Sequence, residues 1–264
     1  MKNKLVFLTL ILLAIYTASG QDADNSNDPQ NIDKSLITMD NQDIEAITSI
    51  ANNILWYGQS AIKITYLDKN LYVDPFKVPS GSPKSDVILI THSHSDHLSE
   101  ESLRIIYKDD CLIYAPDDCC GKLKEMGFSN CHSIKPGETI KHGNISIEAV
   151  PAYNTEKTNH PKQNKWVGYI ITIDGVRIYH PGDTNRIPEM KQIRCDIAFM
   201  PLGQTYTMSG VEEAVDAVCD VKASVAVPFH YGMYEGTEDD ANIFKKLLQS
   251  RGVKVIIKER MGAL

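Results

Sequence analysis

Four metal-ligand side chains fall within six residues, His92-Ser-His94-Ser-Asp96-His97, directly after the apolar run Val87-Ile-Leu-Ile90. An apolar run without polar alternation reads as a strand buried on both faces. Open α/β folds place ligand sites just beyond the carboxyl ends of such strands. Along an extended backbone alternate side chains share a face, so His92 and His94 can grip one metal ion. Asp96 and His97 are adjacent and diverge, which directs at least one of them towards a second position. The segment therefore suits two neighbouring metals, spaced about 3.5–4 Å in two-metal hydrolytic sites. Imidazole and carboxylate ligands fit zinc, and also manganese or iron. Four ligand-type residues at this spacing are more than a helix cap requires.

The chain around this segment has 264 residues and 42% hydrophobic content, enough for one large α/β domain. Residues 1–20 carry Lys2 and Lys4, an apolar run from Leu5 to Ile15, and the small residues Ala18-Ser19-Gly20. That is the pattern of a secretory signal peptide, and the run is short for a membrane span. Its removal leaves 25 basic against 34 acidic side chains with no basic cluster, which argues against a nucleic-acid partner. The expected location is secreted or periplasmic, with no stable membrane anchor after cleavage. Of the six cysteines, several lie in apolar stretches such as Cys111-Leu-Ile-Tyr114, and buried free thiols are the expectation. Residues 21–53 are polar and acidic, and read as a flexible leader with a weakly amphipathic approach to a domain spanning 54–264.

Within that domain, residues 61–66 and 71–73 form a hairpin through Asp68-Lys69-Asn70, and Asp174-Gly175 signals another between 167–173 and 176–179. Helices are expected at 99–107, 117–126, 211–218 and 241–250, and further strands at 112–115, 145–150, 197–200, 224–227 and 253–257. Two halves, each β-rich first and α/β later, imply two packed sheets with helices outside: a four-layer αββα sandwich.

The segment Thr91 to Leu98 resembles the HxHxDH signature of the metallo-β-lactamase superfamily. Other segments match in order: Trp56-Tyr-Gly-Gln-Ser60, Tyr72-Val-Asp74-Pro-Phe76, Tyr179-His-Pro-Gly182-Asp183-Thr184 and Pro228-Phe-His230-Tyr231-Gly232. The stretch Pro201-Leu-Gly203 with Thr205-Tyr-Thr-Met208 resembles the UPF0173-type hydrolases and the ascorbate-6-phosphate lactonase-like branch. The resemblance implies the metallo-β-lactamase fold and the metal ligands His92, His94, Asp96, His97, Asp183 and His230, with Asp183 bridging. A carboxylate can span two cations, and Gly182 gives the backbone room to bring it there.

One position departs from the pattern. Where relatives carry a third histidine for the first metal, after the strand ending at Val150, this chain reads Pro151-Ala-Tyr153-Asn154, and the nearest histidine is His160. Three options follow: Asn154 supplies an oxygen, the loop folds back to bring His160 in, or the centre works with one metal rather than two. His132 and His142 read as surface residues, and His180 as packing or as support for Asp183. Tyr153, Tyr206 and Tyr231 are candidate substrate contacts.

The implied activity is hydrolysis of an ester, lactone or phosphodiester bond in a small molecule by metal-bound hydroxide, with Asp96 binding metal and handling the proton. The absence of a GxSxG segment argues against a serine nucleophile. Alternatives on the same ligands are a β-lactamase, an iron-redox protein and a metal-binding protein without catalysis. The sequence leaves the oligomeric state open.

Overall fold

The structure is a computed structural model, and it describes residues 41–262. The expected signal peptide and residues 21–40 of the expected leader lie outside the described residues. The rest of that leader is α1 (Asn41–Asn53), whose Ile47 and Ala51 are buried in the core. This corrects the expected domain start at 54: the packed unit takes in the preceding helix, because an apolar residue every fourth position is enough to dock one face.

Six strands form the first sheet in sequence order: β1 (Leu55–Gly58), β2 (Ala61–Tyr66), β3 (Lys69–Val73), β4 (Val87–Leu89), β5 (Leu112–Ala115) and β6 (Cys131–Ser133). Between them lie α2 (Glu100–Ile106) and α3 (Asp117–Glu125). The second sheet holds β7 (Thr139–His142), β8 (Ile145–Pro151), β9 (Val167–Ile173), β10 (Val176–His180), β11 (Ile197–Pro201), β12 (Val225–Phe229) and β13 (Lys254–Val255). Helices α4 (Val211–Asp220) and α5 (Glu238–Gln249) complete the chain order.

Strand alternation builds the layers. In β4, Val87 and Leu89 face the core between the sheets, whereas Ile88 joins Leu103 and Ile106 of α2 and Leu123 of α3 in a separate cluster on the outer face. Tyr72 of β3 points outward like Ile88, between Leu71 and Val73, which point inward. Phe244 and Leu248 of α5 and Val215 and Val218 of α4 pack with the second sheet. This is the expected four-layer αββα sandwich. The first hairpin turns on Leu67 and Asp68, both at positive φ, rather than on residues 68–70.

Strand direction gathers the loops that matter. β3, β4 and β5 run parallel, and β2 is antiparallel to β3. The β1–β2 turn therefore shares an edge with the ends of β3 and β4. In the second sheet β10, β11 and β12 are parallel, while β9 is antiparallel to both β8 and β10. The ends of β8, β10 and β12 and the start of β9 then lie at one edge. Main-chain bonds join the two edges, His230 N to Gln59 O at 3.0 Å and Val167 N to Thr91 O at 3.1 Å.

The cysteines divide. Cys111, Cys119 and Cys195 are buried free thiols as expected, and Cys219 is free but exposed. Cys120 and Cys131 correct the expectation: they form a disulfide between α3 and β6, with Cα atoms 5.5 Å apart. An eleven-residue separation concealed a pair that the helix–turn–strand return brings together.

Candidate metal centre

The first and last histidines of the HxHxDH segment, His92 and His97, are each aimed by a partner behind them. Asp74, at the end of β3, accepts from Thr91 N and Thr91 Oγ1, both at 2.7 Å, and from His97 Nδ1–H at 2.8 Å. With its proton given to Asp74, Thr91 Oγ1 accepts from His92 Nδ1–H at 2.9 Å. Both imidazoles thus turn their Nε2 atoms into the centre, the arrangement by which outer partners fix a ligating histidine's tautomer. The Nε2 of His97 is buried and makes no directed hydrogen bond. An orphaned buried nitrogen amid carboxylates is what a metal ligand looks like without its cation.

Among the described residues three groups each bring their ligand atoms within 4.8 Å of one another: His92, His94 and His160; His92, His97 and Asp183; Asp96, His97 and His230. Asp183 Oδ2 stands among them, 3.3 Å from His97 Nε2, 3.2 Å from His230 Nε2, 3.5 Å from His160 Nε2 and 3.9 Å from His92 Nε2. One carboxylate oxygen thus touches both halves of the cluster. Its other oxygen accepts from Ser60 Oγ at 3.3 Å, and Ser60 O in turn accepts from His180 Nε2–H at 2.7 Å. His180 is therefore buried support beneath Asp183. Gly182 has φ +65°, and a Cβ there would come within 3.0 Å of the Thr91 side chain and 3.1 Å of Val167 O. Both the backbone angle and the close approach require glycine.

The loop after β8 folds back. Asn154 N–H donates to His160 O at 2.8 Å, and His160, at φ 58°, brings its Nε2 to 3.2 Å from His92 Nε2. His160 thus stands where a third nitrogen for His92 and His94 is needed, and of the three options it is the one the geometry favours. The Asn154 amide donates to Tyr206 O at 2.8 Å and lies 3.3 Å from His160 Nδ1, behind the histidine rather than in front of it. Trp166, just before β9, packs its ring 4.9 Å from that of His92, 5.1 Å from His94 and 5.5 Å from His160.

The two halves differ electrostatically. Burial holds the pKa of His92 well below the usual imidazole value, lowers that of His94 and brings His160 down to about 4. These three are neutral at pH 7, with lone pairs ready for a metal. Burial opposes charge on His97 and His230 too, but Asp183 outweighs it. Asp74 and Asp96 help to hold His97 well above the usual range, and Glu235 helps push His230 up to about 10. Burial would raise Asp183, yet His230 and His97 keep it ionised far below its usual value. The concentration of carboxylates calls for positive charge at these nitrogens, a demand that a divalent cation meets by displacing protons.

Two residues of the centre carried no individual sequence signal. Gln59 is fully buried in the β1–β2 turn, its Nε2 donating to Asp96 Oδ2 at 3.2 Å and standing 3.1 Å from His230 Nε2. Glu235 accepts from the backbone N–H of Thr205 at 2.7 Å and of Tyr206 at 2.8 Å, and its Oε1 lies 3.1 Å from His230 Nδ1. A Cβ on Gly203 would overlap this carboxylate. The G-Q-S turn and Gly203 were visible in the sequence, but the charge they receive was not.

Of the aromatic candidates, Tyr206 lines the open cleft over the centre, together with Met233 and Tyr234. Tyr153 and Tyr231 are corrected as substrate contacts. Tyr153 is buried, with its hydroxyl on Glu189 at 2.9 Å and its ring under the Lys162 ammonium. Tyr231 turns away to stack on Trp56, with ring centroids 5.1 Å apart.

Comparison with known proteins agrees with this geometry. A beta-lactamase superfamily domain matches residues 53–230. A UPF0173 metal-dependent hydrolase from Thermoplasma acidophilum is 34% identical over 217 residues, covering 78% of this chain and 95% of that protein. Another from Archaeoglobus fulgidus is 32% identical over 220 residues, covering 76% and 93%. A solved structure assigned as a metal-dependent hydrolase from Parabacteroides distasonis superposes with a TM-score of 0.69 at 35% identity, covering 78% of this chain and 92% of that one. The sandwich, the histidine–aspartate cluster at its loop edge and these relatives together make the chain a metal-dependent hydrolase of the metallo-β-lactamase superfamily, in its UPF0173 group.

Proposed function

We propose that the chain hydrolyses an ester, lactone or phosphodiester bond of a small molecule, with zinc as its resident metal in two adjacent positions. The observation that carries this reading is the single Asp183 oxygen shared between the neutral triad His92, His94, His160 and the carboxylate-rich group Asp96, His97, His230. When bound, a divalent metal would lower the pKa of a coordinated water to about 7 and so supply a nucleophile at neutral pH.

The chain's own residues do the rest. Asp96 faces the cleft with its side chain 20% exposed, and Gln59 holds one of its oxygens, so the carboxylate is fixed where it orients water and accepts a proton. Asp74, Thr91 and Glu235 keep the imidazoles in register. Trp166 shields one side of the histidines from solvent.

The test is metal quantification on the purified protein, coupled to a screen of lactones, phosphodiesters and β-lactams. Turnover confined to β-lactams would replace the proposed bond class. Asp183→Ala is expected to reduce hydrolysis by at least about a hundredfold, and full activity in that variant would refute the site.

An exported location belongs to the same reading. It is supported by the lysine-apolar-small pattern of residues 1–20 and by the Cys120–Cys131 disulfide, a bond that persists in oxidising compartments. Among the described residues no helix is long and apolar enough to cross a membrane. Fractionation with mass spectrometry of the mature N-terminus checks it; a cytoplasmic chain retaining Met1 overturns it.

A further inference from the structure

The cleft above the metal centre has a volume of about 630 Å³, and its rim is aromatic. Tyr206 is 44% exposed and Tyr234 59%, on neighbouring loops, with Met233 beside Tyr234. Their exposure is not that of loose loops. Tyr206 N–H is held by Glu235 and its carbonyl by the Asn154 amide, both at 2.8 Å, so the same contacts that position His230 and His160 fix the stalk of this ring. Tyr234 leans on Phe76, with centroids 6.4 Å apart. Large rings left in water, one on a backbone held at both its polar groups and one leaning on a second aromatic, mark a contact surface for an apolar group.

The charge of the cleft is equally restrictive. Among the described residues no lysine or arginine lines it. Two lysines come near, and both give their ammonium groups to main-chain carbonyls: Lys122 to Ser93 O at 3.0 Å, and Lys157 to Gln204 O at 3.0 Å, Met208 O at 2.9 Å and Thr207 O. Metal ions at the centre would answer the charge at the reacting group itself, but a second anionic group further along a substrate finds no Arg or Lys side chain in this lining to pair with.

We propose that the cleft takes a carboxylic ester or lactone whose acyl part carries an uncharged apolar chain or ring, seated against Tyr206, Met233 and Tyr234. This rests on the hydrolytic reading above and narrows its bond class. In the reaction, the oxygen of water forms a new bond to the acyl carbon and the acyl carbon–alkoxy oxygen bond breaks. One water proton ends on the alcohol, and the products are a carboxylic acid and that alcohol, joined in one molecule when the substrate is a lactone.

Three chromogenic esters sharing one leaving group test the inference on the metal-loaded protein: 4-nitrophenyl acetate, 4-nitrophenyl hexanoate and the mono-4-nitrophenyl ester of adipic acid. The last matches hexanoate in chain length but ends in a carboxylate. The expected result is a kcat/KM for hexanoate roughly tenfold or more above both others, from burial of its methylenes. In a Tyr206→Ala, Tyr234→Ala double variant the hexanoate-to-acetate ratio is expected to collapse towards one through KM. Bound metal per chain should be unchanged, because the main-chain contacts of Tyr206 survive the substitution. Equal or better turnover of the adipate ester, or an undiminished ratio in the double variant, overturns the inference while leaving the hydrolytic reading standing. No turnover of any of the three, with bis(4-nitrophenyl) phosphate cleaved, overturns the inference and leaves phosphodiester chemistry in its place.

Discussion

Asp74 and His97, 23 positions apart, meet at 2.8 Å with neither side chain exposed to solvent, and the same carboxylate holds Thr91 by two further bonds. One residue outside the HxHxDH segment therefore sets the direction of its last histidine and, through Thr91, of its first.

Replacing Asp74 by Asn keeps the size and removes the charge and one acceptor. Metal affinity is expected to fall about 10–100-fold, the usual effect of losing a support behind a ligating histidine. Stability should fall by about 2 kcal/mol, because buried donors on Thr91 and His97 lose their acceptor. Chelator competition and thermal unfolding read the two effects, and unaltered metal affinity would sink the orienting role.

His160→Ala separates the two halves of the centre. The variant loses the third nitrogen beside His92 and His94 but keeps Asp96, His97 and His230. Bound metal is expected to drop by one ion per chain, with the remaining ion held by the second group. Unchanged stoichiometry and affinity would reassign His160 to the cleft wall.

Gly203→Ala introduces a single methyl into the space of the Glu235 carboxylate. Displacing that group frees the loop carrying Tyr206 and removes the partner of His230 Nδ1. Activity should fall at least about tenfold and stability by about 1–3 kcal/mol, the usual range for overpacking. Wild-type values of both would show that the loop yields without moving Glu235.

Acid stability has a contributor far from the centre. Asp86 is held at about 2: burial opposes its charge, but Lys108, Asn70 N–H and Lys69 outweigh burial. A carboxylate whose folded pKa is depressed stabilises the fold above its unfolded value of 3.8, and that contribution is lost as pH falls from about 4 towards 2. Unfolding free energy of the wild type should therefore decline through this window more steeply than that of Asp86→Asn. Parallel curves would rule the contribution out.

What the sequence determined by itself was local. The buried strand into the HxHxDH segment, the Asp174-Gly175 hairpin, the helices and the sandwich order are written in periodicities of two and 3.6 and in turn residues, and each acts within about ten positions. The first histidine, the last aspartate and the glycine that lets it approach were legible for the same reason. Only the tertiary structure brought His160 beside His92 and His94, because a loop closed by Asn154 and His160 has no periodic signal. Only it showed Gln59 against Asp96, Glu235 against His230, and Cys120 paired with Cys131, contacts made by strand direction and sheet packing rather than by spacing. It also turned Tyr153 towards Glu189 and Tyr231 towards Trp56, away from the cleft, and left Tyr206 and Tyr234 at its rim, since the face a side chain takes beyond a strand's end is set by contacts distant in sequence.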